Sequence, residues 1–150
     1  MSRSEQPDLD PQVMVEKFHH FFDILVQQTP GHVDEGTRVL RERLIQEEFE
    51  ELREAMGKSD LAAIAKELAD LLYVVYGTAV SYGIDMDPVF REVHRSNMSK
   101  VGGYKRDDGK WVKPSTYSPA AIEPILAAQQ HRRERVVESS HTCEEVEPRA

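Results

Sequence analysis

The chain has 150 residues, 39% of them hydrophobic and 31% charged, with a formal net charge of -8. That suits one globular domain with a single core, and a polyanion is poorly matched to nucleic acid or to an anionic membrane surface. No apolar run approaches the ~20 residues that span a bilayer, the opening "MSRSEQPDLDP" lacks a signal-peptide stretch, and the single cysteine, Cys143, excludes an intrachain disulfide framework, so the chain reads as soluble and cytoplasmic.

Taken in chain order, the apolar residues first recur at helical spacing at Val15, Phe18, Phe22, Leu25 and Val26, predicting a helix over 11–26. "QQTPGHVDEG" is turn-rich and predicts a loop. A second helix is expected over 37–56, stopped by Gly57. Ser59 or Asp60 should cap a third, ending at Tyr82 before Gly83. "DMDP" predicts a fourth, with Asp87 as N-cap and Pro88 at the first helical position, running to Lys100. In "YKRDDGKWVKPSTY" the Asp-Gly pair suggests a small hairpin. Ser118-Pro119 should open a last helix to Arg133, and 134–150 is polar, aperiodic and expected to be disordered. The expected architecture is all-α: residues 1–133 form one domain, a four-helix bundle with a basic loop or short hairpin and a peripheral C-terminal helix.

Within the second helix, "LIQEEFEELREAM" places five glutamates in eight positions. Like charges three and four apart repel by roughly 0.2–0.5 kcal/mol per pair, so the cluster needs a reason. At about 100° per residue, Ile45, Phe49, Leu52 and Met56 form an apolar stripe. Glu50 and Glu54 fall opposite it, in solvent. Glu47 and Glu51 sit at its edge, and Glu48 points inward. The third helix, "LAAIAKELADLLYVVYGTAVSYG", is apolar almost all round and should be buried. Its only formal charges are Lys66, Glu67 and Asp70, with the two acids sharing a face. Buried carboxylates cost several kcal/mol each unless compensated. A salt bridge to Lys66 or to an arginine of a neighbouring helix is one answer. A hard divalent cation, Mg²⁺ or Mn²⁺, is the other, and five carboxylates against one lysine favour it. A di-iron bundle would want Glu-x-x-His pairs, and none of these glutamates has histidine three residues on.

The pattern Glu47-Glu48-x-x-Glu51, fifteen residues, then Glu67-x-x-Asp70 resembles the EExxE…ExxD signature of the MazG-like all-α nucleoside triphosphate pyrophosphohydrolases. "KELADLLYVVYGTAVSYGIDMDPVFREVHRSNMSKVGG", followed by "DGK" and "KP", is similar to their dimeric-dUTPase-like branch. The resemblance implies Mg²⁺-dependent cleavage of a nucleoside triphosphate, with dUTP the nearest substrate, to monophosphate and pyrophosphate. It also implies a homodimer, with Glu47, Glu48, Glu51, Glu67 and Asp70 as metal ligands or water activators. Charge logic agrees, because a triphosphate would be repelled by this cluster without cations between them. Glu48, the most inward, is the candidate for orienting the attacking water.

Asn97 and Lys100 are candidate substrate contacts at the end of the fourth helix, against the reading of Lys100 as an ordinary helix-terminal charge. Lys105, Arg106, Lys110 and Lys113 make the following loop basic, and Lys113 is a candidate phosphate ligand. Trp111 could stack on a base or seal the loop. Tyr73 shares the Asp70 face, and Phe18 and His19 could shape a base pocket. Cys143, in the tail, is a poor nucleophile candidate. The competing readings are a non-catalytic helical interaction module with an acidic docking face, and an enzyme of the phosphoribosyl-ATP pyrophosphohydrolase type.

Overall fold

A computed structural model describes residues 10–131. The expected tail at 134–150, Cys143 and the expected helix end at Arg133 lie outside the described residues. The chain divides after Ile84 into two compact units, Met1–Ile84 and Asp85–Ala150. The fold is all-α with one two-stranded hairpin, as expected.

Three helices make the first unit. Helix α1 spans Pro11–Phe21, with the Asp10 carboxylate accepting from the amides of Gln12 and Val13 and Pro11 in the first turn. It stops five residues short of the expected Val26. Asp23 takes a left-handed φ of 54°, and the Leu25 carbonyl accepts instead from Ser81 Oγ at 3.2 Å and bonds the His19 ring at 3.1 Å. Those tertiary bonds outcompete another helical turn.

Helix α2 spans Glu35–Lys58 and starts at Asp34, whose carboxylate accepts from the Thr37 amide. Gly57 does not end it. One interior glycine costs only about 1 kcal/mol, and the chain turns two residues later, where Ser59 adopts φ 53°. Helix α3, Leu61–Tyr82, has the expected ends: Asp60 caps it and Gly83 closes it at φ 69°. A side chain at Gly83 would collide with the Thr29 carbonyl.

The core of this unit is small: Val15, Leu52, Ala55, Ala79 and Val80. Two expectations fail here. Phe49 and Met56 are 49% and 59% exposed, because α2 buries Arg41, Leu52 and Ala55 rather than the flank carrying those two. Helix α3 is not buried all round either; Leu61, Leu68 and Leu72 are exposed at 79%, 47% and 56%.

In the second unit, α4 spans Met86–Met98 and its N-cap is Asp85, not Asp87. Asp87 instead sits in the first turn and accepts from Arg91 Nε at 2.9 Å. The helix ends before the expected Lys100. Strands β1 (Tyr104–Lys105) and β2 (Trp111–Val112) pair antiparallel around the Asp-Gly turn. Gly103 leaves no room for a side chain beside Trp111 and the Val112 carbonyl. The last helix, α5, begins at 123 rather than at Pro119. Ser118 is already committed to the end of α4: its amide donates to Ser99 Oγ at 2.8 Å and its carbonyl accepts from Ser96 Oγ at 2.9 Å.

Candidate active site

Because only Ser59 and Asp60 separate α2 from α3, residues at equal distance from that turn come level. Glu48 lies ten residues before Lys58 (58 − 48), and Asp70 nine after Leu61 (70 − 61), with Glu67 one turn nearer the turn. Glu48, Glu67 and Asp70 accordingly each offer a carboxylate oxygen within 4.8 Å of the others. All three are half-buried.

The cluster carries the signs of crowded charge. Desolvation pushes the Glu48 carboxyl above its ordinary pKa, and the charges of Glu51, Asp70 and Glu67 push it further the same way. Glu67 has one oxygen, Oε2, that is buried and without a partner. Lys66 Nζ reaches the other, Oε1, at 3.0 Å and Asp70 Oδ2 at 2.6 Å. An orphaned acceptor among hard oxygen donors fits a divalent cation of the Mg²⁺ or Mn²⁺ kind. Glu51 stands at the rim, exposed but close enough to act on Glu48. Glu47 sits apart, 56% exposed and 3.7 Å from Arg43 Nε. Glu50 and Glu54 are exposed, and Glu54 pairs with Lys58.

Two helical turns away, the same helix pair buries a cation. Arg41 lies seventeen residues before Lys58 (58 − 41) and Gly77 sixteen after Leu61 (77 − 61), so they too are level. Arg41 is 6% exposed and His19 2%. Arg41 Nη2 approaches His19 Nε2 at 3.4 Å. A guanidinium can only donate, so Nε2 is the acceptor and Nδ1–H donates to the Leu25 carbonyl. Burial, together with the charge of Arg41, lowers the His19 pKa. No carboxylate pairs with Arg41 among the described residues, and its Nε has no partner. Sequence reading missed Arg41. The one available signal was Gly77, a glycine inside an otherwise apolar helix, where a side chain would crowd both Arg41 and His19. Nearby on α1 and α3, Phe18 and Tyr73 meet edge to face with ring centroids 5.5 Å apart, both partly exposed.

The remaining candidates lie in the second unit. Lys100 Nζ donates to Asn97 Oδ1 at 2.6 Å, and both line a shallow cavity of about 220 Å³ with Met98, Val101 and Trp111. Trp111 Nε1 donates to the Lys100 carbonyl at 2.8 Å, sealing the hairpin to the end of α4. Lys113 Nζ lies 4.1 Å above the Tyr117 ring.

Helices bearing a clustered carboxylate triad are the frame on which a metal-assisted hydrolase can be built. Comparison with known families agrees: the model of the phosphoribosyl-ATP pyrophosphohydrolase family matches residues 15–97, which is 83 of 150 residues. The chain belongs to that family, and through it to the MazG-like all-α nucleoside triphosphate pyrophosphohydrolase superfamily. Membership makes it a nucleotide pyrophosphohydrolase by class. No curated protein matches the chain. No helix among the described residues is long and apolar enough to cross a membrane.

Proposed function

We propose that the protein hydrolyses a nucleoside triphosphate, dUTP foremost, to the monophosphate and pyrophosphate with the help of Mg²⁺, and that Glu48, Glu67 and Asp70 are the heart of the site. The observation that carries this is the triad itself: three half-buried carboxylates gathered on two helices, one with an orphaned oxygen. A divalent cation held there would offset the charge of the triphosphate and stabilise charge developing on its oxygens. Glu51 adds negative charge at the rim, and Glu47 is the outermost of the five proposed ligands. Glu48, held above its ordinary pKa, is suited to accept a proton from an attacking water and to orient it. Phe18 and Tyr73 offer apolar faces to a base. Asn97, Lys100 and Lys113 are proposed as polar contacts for the base and phosphates.

The dUTP assignment draws on "KELADLLYVVYG" and "HRSNMSK", and also on the "DGK" turn, which lies beyond the matched residues 15–97. The family match favours a second reading, phosphoribosyl-ATP as substrate. Both reactions release pyrophosphate, so one assay separates them. Initial rates with Mg²⁺ at equal, subsaturating dUTP, dTTP, dCTP, dATP, dGTP and phosphoribosyl-ATP should be highest for dUTP. Faster turnover of phosphoribosyl-ATP moves the assignment to the second reading. No pyrophosphate from any of them rejects both and leaves the interaction module.

A homodimer is part of this proposal. Leu61, Leu68, Leu72 and Val75 recur along one stripe of α3 at spacings of seven, four and three, and all four are exposed. That is the spacing of a helix-pairing seam, and a second copy of the chain would cover it. Light scattering at micromolar concentration should give twice the monomer mass; a clean monomer rejects the dimer.

A further inference from the structure

We propose that Lys66 is a resident counter-ion of the carboxylate triad, holding the cation's place until a divalent ion displaces it and so setting the cation concentration at which the site loads. The inference rests on the metal-binding reading above and adds a residue to which that reading gives no role. Lys66 Nζ contacts two of the three triad members, Glu67 at 3.0 Å and Asp70 at 2.6 Å. Neither contact serves the helix well. Adjacent residues do not face one another on a helix, and an acid following a base at i,i+4 is the less favourable order against the helix dipole. The geometry is better explained by the cluster's own charge. Arg43 and Lys58, on α2, pair with Glu47 and Glu54 instead. The Lys66 side chain is 65% exposed, so it can leave the cluster without opening the core.

An ammonium has three donors and no acceptor. While it holds Glu67 Oε1 and Asp70 Oδ2, its charge offsets part of the negative charge that would draw in a divalent ion, and those two oxygens are engaged. Loading is then an exchange of one cation for another, and the free lysine is left at the edge of the site.

The test is calorimetric titration of the full chain with Mn²⁺, without substrate. Lys66→Gln should bind Mn²⁺ about three- to ten-fold more tightly than wild type, the scale expected for loss of exposed ion pairs that the metal must otherwise break. Lys66→Arg, which keeps the charge, should stay within about two-fold of wild type on the same scale. The metal-free Lys66→Gln chain should also melt lower than wild type, and saturating Mn²⁺ should close that gap. If wild type binds Mn²⁺ and Lys66→Gln binds it equally or more weakly, the counter-ion role is wrong while the metal site stands. If Lys66→Arg tightens as much as Lys66→Gln, charge is not the cause and the role is again wrong. If neither wild type nor variant binds Mn²⁺, both the role and the metal-binding reading fall.

Discussion

The stretch of the α2–α3 pair that runs from Arg41 to Glu48 solves opposite electrostatic problems at its two ends. At one end Glu48, Glu67 and Asp70 crowd negative charge; at the other, Arg41 is buried positive charge with no carboxylate paired to it among the described residues. Arg41 and Glu48 are seven residues apart on one helix, about 10 Å along its axis. They lie on the same face yet do not pair. A protein built only for stability would bring such charges together or replace them with apolar side chains, which is often neutral or stabilising. The acidic end leaves an acceptor orphaned and is capped by an exposed lysine, whereas the basic end is closed off by His19 and packed against Gly77. The first fits the cation proposed above. The second is arranged to hold the segment after α1 in place, through the bond between the His19 ring and Leu25.

The largest effect expected from this contrast is on turnover. Glu48→Ala or Asp70→Ala should lower pyrophosphate release by about 100-fold or more, the scale of a lost general base or metal ligand, while far-ultraviolet circular dichroism stays nearly unchanged. Glu54→Ala should change the rate less than two-fold, on the order expected of a solvated surface charge, because its partner is Lys58 and its side chain is 68% exposed. Equal damage at 48 and 54 would erase the distinction between the inner and outer faces of α2.

Chelation attacks the same end without mutation. Turnover should vanish in excess EDTA and return with Mg²⁺ or Mn²⁺. Full activity in chelator would mean that the carboxylates work without a cation.

The basic end is tested through stability. Gly77→Ala in an unobstructed helix would stabilise by about 1 kcal/mol. Here a methyl group would stand 3.0 Å from His19 Nε2 and 3.1 Å from Arg41 Nη1, and overpacking of that kind costs about 1–3 kcal/mol. Urea unfolding should therefore show a net loss of about 1 kcal/mol. A net gain would show that Arg41 and His19 yield readily.

The smallest effect is a difference in sign between the two ends as pH falls. His19 has its folded pKa below the ordinary 6.5. The unfolded chain therefore takes up that proton first, and stability falls as pH drops through about 6.5 toward the lower folded value. Glu48 has its folded pKa above the ordinary 4.5. The folded chain takes that proton first, so its contribution rises as pH drops through the raised value. Melting of metal-free protein from pH 8 to 4 should show the loss in wild type. His19→Asn should remove it, and Glu48→Gln should remove the compensating gain at the acid end. A His19→Asn profile that matches wild type would place the pH dependence elsewhere.

What the sequence determined by itself was local or periodic. Asp60 and Gly83 bound α3 as expected, because caps act within one turn of the helix end. Glu48, Glu67 and Asp70 were legible as members of a set of five carboxylates, with Glu47 and Glu51, because helical spacing assigns a face without knowledge of the partner; which three come within reach of one another was decided by the packing of α2 on α3. The ion pair of Lys66 with the acidic face was legible as one of two answers, for the same reason. Tertiary structure decided what depended on distant atoms. α1 stops at Phe21 because the Leu25 carbonyl is bonded by Ser81, 56 residues away. Phe49 and Met56 are left exposed because the rotation of α2 against its neighbour follows from packing that burial patterns alone underdetermine. Arg41 read as an ordinary member of a charged helix. It became a buried cation only when the two-residue turn after α2 brought Gly77 level with it and α1 delivered His19 to its guanidinium.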